Sequence, residues 1–249
     1  MLNILYSIKK YLMGKLIAIR HGQSIWNAEN RFTGWVDVDL SEKGVLEAEK
    51  SGKLLKDLNL NYDICFTSCL KRAIKTLEIV LKIVGKESKY TKAWELNERH
   101  YGAFTGLDKF KTKEKLGEEK FNQYRRSWDN PPPVLDKESK YSSHNDSLYK
   151  GLKSVPNTES LKNTYDRVIP YFQKNIQEHL KQNKNIIISA HGNSLRALCK
   201  YLFNISDKKI NELEIPTGNP LIIFFDKSLK AEKYYYLDKE REKKIIFNQ

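Results

Sequence analysis

Two short apolar runs in this chain each end in a histidine followed by glycine. Residues 15–19 lead into Arg20-His21-Gly22, and residues 185–190 lead into His191-Gly192-Asn193. One such histidine would ordinarily be structural. Two at equivalent positions point to a shared ligand, because glycine lets the backbone approach a bound group closely. Helices starting after each turn would add unsatisfied N–H groups and a positive dipole end, both suited to an anion. Arg20 precedes the first histidine directly, and Arg72 falls in the first turn of a helix that follows a strand at residues 62–67. Asn27, Thr33 and Asn193 supply neutral donors. Guanidinium forks match phosphate oxygens in pairs, so the set predicts a phosphoryl site. A neutral imidazole nitrogen is a nucleophile towards phosphorus, and a second, protonated imidazole would offset charge on the equatorial oxygens. With arginine and histidine as the cations, no metal is expected. The sequence has no Walker A glycine loop, no HExxH and no aspartate cluster, so no nucleotide is expected either. A leaving hydroxyl needs a proton. Of Glu95 and Glu98, Glu98 is the choice for general acid and base, beside Arg99-His100-Tyr101.

The composition sharpens the choice of cations. Lys and Arg number 44 against 31 Asp and Glu in 249 residues, a net charge of +13. Only nine of the 44 are arginine, as a compositional bias towards lysine would produce. An arginine in such a chain marks a place where a planar, two-pronged donor is needed, which selects Arg20, Arg31, Arg72, Arg99, Arg125 and Arg126. The basic residues are spread rather than clustered and no nucleic-acid motif appears, so no nucleic-acid partner is expected. No apolar run approaches the roughly 18 residues of a membrane span. Three cysteines without metal-ligand spacing exclude a disulfide framework or structural zinc, and a cytoplasmic location is expected.

These residues must be carried by strands and helices that alternate. Apolar, β-branched runs at 15–19, 62–67, 90–93, 185–190, 221–225 and 233–237 read as strands, and helical periodicity fills the intervals between most of them. Ser41, Ser68 and Thr158 read as helix caps. The fold class is α/β, a mostly parallel central sheet flanked by helices, with a helical and loop insertion over the active site. Residues 1–14 form an N-terminal extension without signal-peptide features. Residues 15–238 form one catalytic domain, with 97–156 as an inserted lid, and residues 239–249 are a charged tail.

The runs RHGQSIWNAENRFTGWVDVDLSEKG, TSCLKRAIKTL, LNERHYGAFTGLDK, YRRSWDNPPP, ESLKNTYDRVIPY, AHGNSLRALCKYL and IPTGNPL occur in order along nearly the whole chain. In these the sequence resembles the cofactor-dependent phosphoglycerate mutases of the histidine phosphatase superfamily. The resemblance implies interconversion of 3-phosphoglycerate and 2-phosphoglycerate in glycolysis, primed by 2,3-bisphosphoglycerate and without metal. It implies His21 as the phosphorylated residue, Glu98 as proton donor and acceptor, and His191 as stabiliser of the transferring group. Substrate-binding positions carry over onto Arg20, Ser24, Asn27, Thr33, Gly34, Arg72, Arg99, Tyr101, Lys109, Arg125, Arg126, Gly192 and Asn193. A homodimer or homotetramer is implied as well.

Arg125 and Arg126 carry a tension, because adjacent helix positions face different ways and a last-turn cation suits the dipole without any ligand. Both bind only if the helix ends there. Three positions depart from the family pattern: Gln23 in place of the usual glutamate, Asn219 in place of an apolar residue, and a tail shorter than the family's site-covering one. Rival readings are a phosphatase or bisphosphoglycerate synthase on the same fold, a basic binding module, and an inactive scaffold. Ser24 favours the mutase over the synthase, which carries glycine there.

Overall fold

The computed structural model describes residues 13–85, 89–144, 146–150, 152 and 154–245. Most of the expected N-terminal extension and the last four residues of the tail lie outside these. Met13 and Gly14, at the edge of that extension, already belong to the body: Met13 packs against the main core and the Gly14 N–H donates to the Leu180 carbonyl at 2.9 Å. No helix among the described residues is long and apolar enough to cross a membrane.

The chain runs β1 (Leu16–Arg20), α1 (Glu42–Asp57), β2 (Ile64–Thr67), α2 (Lys71–Val84), β3 (Tyr90–Lys92), α3 (Lys109–Leu116), α4 (Glu118–Arg126), α5 (Leu161–Asn175), β4 (Ile186–Ala190), α6 (Gly192–Leu202), β5 (Leu221–Phe225) and β6 (Ala231–Tyr236). One-turn and short helices lie between several of these. The sheet order is β3-β2-β4-β1-β5-β6. Strands β3, β2, β4 and β1 pair in parallel, while β5 and β6 add antiparallel pairs at one side. Parallel strands are covered on both faces, hence the unbroken apolar runs of β1 and β4. One core forms on each face. Ile188, Leu198 and Phe172 belong to one, and Ile17, Leu77 and Val80 to the other.

Two features of this layout place the site. Strands β1 and β4 are neighbours, with Arg20 opposite Ala190, and the His21 N–H extends the ladder to the Ala190 carbonyl at 3.0 Å. From β1 the chain leaves towards β2, and from β4 it passes to β5 on the far side of β1. Such a switch point, at the carboxyl ends of the strands, is where α/β sheets open a crevice for ligands. The second feature is close packing beneath the first loop. A Cβ on Gly22 would stand 2.1 Å from the Gly44 carbonyl oxygen, so glycine at both positions lets α1 press directly on the histidine loop.

Within residues 97–156, Phe104 and Phe121 pack with Phe32 from the β1–α1 connection in a small aromatic cluster. That cluster fixes α3 and α4 over the crevice. Local boundaries differ from expectation at two helices. Helix α2 begins after Leu70 with no side-chain cap, and α5 is capped by Ser160, whose Oγ accepts the Asn163 N–H, rather than by Thr158.

Candidate active site

The two imidazoles meet edge to face at the strand ends, with ring centroids 4.9 Å apart and planes inclined at 61°. His21 Nδ1 lies 2.6 Å from the Gly22 carbonyl. A carbonyl only accepts, so Nδ1 carries the proton and Nε2 keeps its lone pair. His191 Nε2 lies 2.7 Å from Ser68 Oγ, and its Nδ1 is buried without a partner. Burial is the main force holding both rings well below the ordinary histidine value, and Arg72 adds to it in each case. The phosphoryl reading calls for a protonated second imidazole, and this burial works against a proton on either ring. A positive charge there would face arginines in a water-poor pocket.

Around His21 lies an inner cavity of about 80 Å³, lined by Arg20, Asn27, Thr33, Arg72, Tyr101 and Lys109, with Arg31, Glu98 and Arg125. It shares the lining residues Arg20, Glu98, Tyr101 and Arg125 with an outer cavity of about 590 Å³, which Arg126, Gly192 and Asn193 also line. Backbone carbonyls aim the cations. Arg72 donates to the carbonyls of Gly34 and Val36 at 2.8 and 2.9 Å, and Arg20 donates to that of Ile215 at 2.8 Å. Burial lowers Arg72 to about 10, still cationic at neutral pH. Lys109, the first residue of α3, is lowered by burial as well. Burial would raise the Tyr101 phenol, but the Arg99, Arg125 and Lys109 cations outweigh it and hold the phenol low. Among the described residues, Arg20 Nε, Thr33 Oγ1 and His191 Nδ1 near the inner cavity and Arg196 Nε at the outer one are buried without partners. Orphans of this kind mark a place where a polar group belongs.

Glu98 is buried at the junction of the cavities. Its Oε1 accepts the N–H groups of Arg99 and Asn193 at 2.7 and 3.1 Å, which leaves Oε2 for a ligand. A Cβ at Gly192 would meet its neighbours only in ordinary contact, 3.5 Å from the Arg20 guanidinium and 3.6 Å from Glu98 Oε2. Asn193 Nδ2 donates to the Tyr101 hydroxyl at 3.0 Å. Helix α4 ends at Arg126, the condition set for its two arginines, and both line the outer cavity.

Several expected site residues stand elsewhere. Arg99 lines neither cavity. Its guanidinium, fully buried, donates to the Tyr124 and Arg125 carbonyls at 3.3 and 2.9 Å, and so closes the end of α4. Ser24 is a buried helix cap whose Oγ accepts the Asn27 N–H, and Gly34 contributes its carbonyl to Arg72. The backbone N–H groups expected to meet an anion after His21 are already occupied. Gly22 donates to Thr76 Oγ1, Gln23 to the Glu47 carboxylate, Ser24 to Asn27 Oδ1 and Ile25 to the Asp39 carbonyl. At the second turn the Asn193 N–H is taken by Glu98. Polar side chains therefore supply most of the donors at the cavities.

Other residues were missed or set aside. Ser68, read as a helix cap, is instead the partner of His191. Arg31, singled out by composition alone, lines the inner cavity. Arg196 lines the outer cavity and donates to Asn193 Oδ1 at 2.9 Å, an i,i+3 pairing that the sequence displays. The tail is not remote from the site, since Glu240, Arg241 and Lys243 line the outer cavity. Asn219 explains part of this. It exchanges two 2.9 Å hydrogen bonds with the Asp238 backbone and so pins the chain where the tail begins.

Paired imidazoles at a sheet edge, set among guanidinium groups, define a protein built to handle phosphoryl groups. The chain belongs to the histidine phosphatase superfamily (branch 1), whose model matches residues 16–145 and 138–234. It is 50% identical over 236 residues, 94% of this chain and 99% of the other, to a 2,3-bisphosphoglycerate-dependent phosphoglycerate mutase of Pelagibacter ubique (strain HTCC1062). Among solved structures, the fold resembles a mycobacterial glucosyl-3-phosphoglycerate phosphatase. That likeness has a TM-score of 0.68 and 17% identity, over 90% of this chain and 97% of the other. It also resembles the alpha-ribazole phosphatase of Shigella flexneri, with a TM-score of 0.65 and 20% identity over 87% and 93%.

Proposed function

We propose that this protein is an isomerase interconverting 3-phosphoglycerate and 2-phosphoglycerate through a phosphohistidine on His21, primed by 2,3-bisphosphoglycerate. One observation carries the reading: an imidazole with a free Nε2 lone pair faces a second imidazole inside a cavity walled by Arg20, Arg72 and Lys109. The close mutase relative supports the substrate.

Bisphosphoglycerate, when bound, supplies the phosphoryl group that primes His21. The unpartnered Arg20 Nε, Thr33 Oγ1 and His191 Nδ1 fit its phosphate oxygens, and Tyr101, Arg125, Arg126 and Asn193 would hold its far end. Arg20, Arg72 and His191 then stabilise charge on the three equatorial oxygens, most strongly in the transition state. A substrate hydroxyl attacks phosphorus while Glu98 Oε2 takes its proton. The N–P bond breaks and the electron pair returns to His21 Nε2. In the opposite direction Glu98 returns the proton to the leaving oxygen. Ser24, Gly34 and Arg99 serve by positioning Asn27, Arg72 and α4. The outer cavity leaves room for water beside a three-carbon acid, which supports a slow phosphatase side reaction.

We further place the protein in the cytoplasm as a homodimer or homotetramer with no nucleic-acid or membrane partner. Residues 15–238 would be one catalytic domain, with 97–156 closing over the ligand. The test is direct. Incubation with labelled bisphosphoglycerate should leave acid-labile, alkali-stable phosphorus on the protein, and His21→Ala should abolish it. Turnover should need added bisphosphoglycerate and withstand EDTA. EDTA-sensitive or cofactor-independent turnover would refute the proposal.

A further inference from the structure

The outer cavity carries an anion of its own. Glu214 Oε1 accepts from Arg126 Nη2 at 2.9 Å, with side-chain exposures of 51% for Glu214 and 25% for Arg126. The other carboxylates at this cavity for which hydrogen bonds are described, Glu47 and Glu98, accept backbone N–H groups at 2.8 and 2.7 Å. Glu47 also stands 3.6 Å from the Arg241 guanidinium, but Glu214, with no backbone N–H donor among the described residues, is held by Arg126. Arg126 borders the outer cavity alone, whereas its neighbour Arg125 borders both. Burial is the main force lowering Arg125; the neighbouring Arg126 charge adds to it, and Glu214 opposes it.

We infer that Glu214 is a specificity-determining residue that acts as an internal competitor. Its carboxylate occupies Arg126 in the free protein and must yield to the far anionic end of a two-ended ligand. This rests on the phosphoglycerate reading, in which one end of the ligand enters the inner cavity and the other reaches Arg125 and Arg126. A ligand filling only the inner cavity never meets the pair. Because the pair is half in water, displacing it is cheap, and the handicap it imposes is about two- to fivefold in affinity. Its consequence is release. A product that must share Arg126 with Glu214 leaves faster than one that does not, and the reaction passes through two-ended ligands at every turn.

The experiment compares Glu214→Gln with the unaltered protein by calorimetry, using 3-phosphoglycerate and inorganic phosphate as separate probes. The variant should bind 3-phosphoglycerate about two- to fivefold more tightly, with KM falling by a similar factor, while its affinity for inorganic phosphate stays the same. Introduced on an Arg126→Gln background, the change should have no effect. Unchanged or weaker 3-phosphoglycerate binding would overturn the inference, since Glu214 would then be holding Arg126 in a productive place. Equal tightening for both probes would overturn it too, because it would reflect general charge rather than competition at Arg126. Failure of the functional reading looks different: the unaltered protein would bind inorganic phosphate but not 3-phosphoglycerate.

Discussion

Acid should unfold this protein far above the pH at which carboxylates titrate, and three buried histidines set the amount. His21, His100 and His191 are at most 3% exposed. Burial is the main cause lowering each of them. His21 and His191 fall well below 6.5 with help from Arg72, and His100 falls to about 4 although Glu159 opposes the shift. In the unfolded chain each takes up a proton near 6.5, whereas the folded protein refuses it. The unfolded state therefore binds more protons, so stability is full above pH 6.5 and is lost as pH falls. At pH 5.5 each histidine contributes a loss of RT ln(1 + 10), about 1.4 kcal/mol, and the three together about 4 kcal/mol. Against a typical total of about 5–15 kcal/mol, that is a large fraction. Urea melts at pH 7.5 and 5.5, at fixed ionic strength, should show midpoints separated by about 1–2 M. Saturating inorganic phosphate should shrink the gap to about the share of His100, because an anion between His21 and His191 lets them take up protons. Calorimetry in buffers of different ionisation enthalpy should accordingly register proton uptake on phosphate binding. Equal midpoints at the two pH values would refute the reasoning.

Arg167→Met should destabilise the fold by about 3–5 kcal/mol, since it strips the buried Glu159 of its partner and removes donors from the Glu95, Asn97 and Glu98 carbonyls; a urea melt checks it, and a loss under 1 kcal/mol would contradict it. Asn219→Leu leaves the Asp238 backbone N–H and carbonyl without their buried partners and should cost about 1–3 kcal/mol. Limited proteolysis of that variant should cut first near the tail.

The sheet and the paired histidines could be read from sequence because both depend on local pattern. Parallel, doubly covered strands print as continuous apolar runs, and a histidine directly after such a run must stand at the sheet edge. Arg72 was legible for the same reason, as its reach follows from its place in the first turn of α2. Ser68 was not. A serine just before a helix looks like a cap by local rules, yet its Oγ is held by an imidazole 123 residues further along the chain. Arg99 misled in the opposite sense. Its neighbours in sequence belong to the site, but the end of α4, brought close only by the aromatic cluster around Phe32, offers carbonyls that capture its guanidinium. The occupied N–H groups of residues 22–25 were equally hidden, since two of their acceptors, Thr76 and Glu47, come from helices that fold back later.

The choice of partners for the buried arginines gives the site its character. Arg20, Arg72 and Arg99 are oriented by carbonyl oxygens, not by carboxylates. A carbonyl dipole fixes the direction of a guanidinium without cancelling its charge, so orientation and positive potential are kept together. Carboxylates pair instead with other arginines: Glu159 with Arg167 beneath the Glu98 segment, Glu214 with Arg126 and Glu47 with Arg241 at the outer cavity, and Glu29 with the partly exposed Arg31 at the rim of the inner one. Among the described residues, the inner cavity is lined by several cations and by one carboxylate, Glu98. The same excess of positive charge that attracts a phosphoryl group reinforces burial in keeping His21 and His191 unprotonated. A neutral His21 is what a nucleophile towards phosphorus requires. Anion affinity and nucleophile activation are therefore two results of one arrangement, and a substitution that neutralises Arg72 should weaken both together.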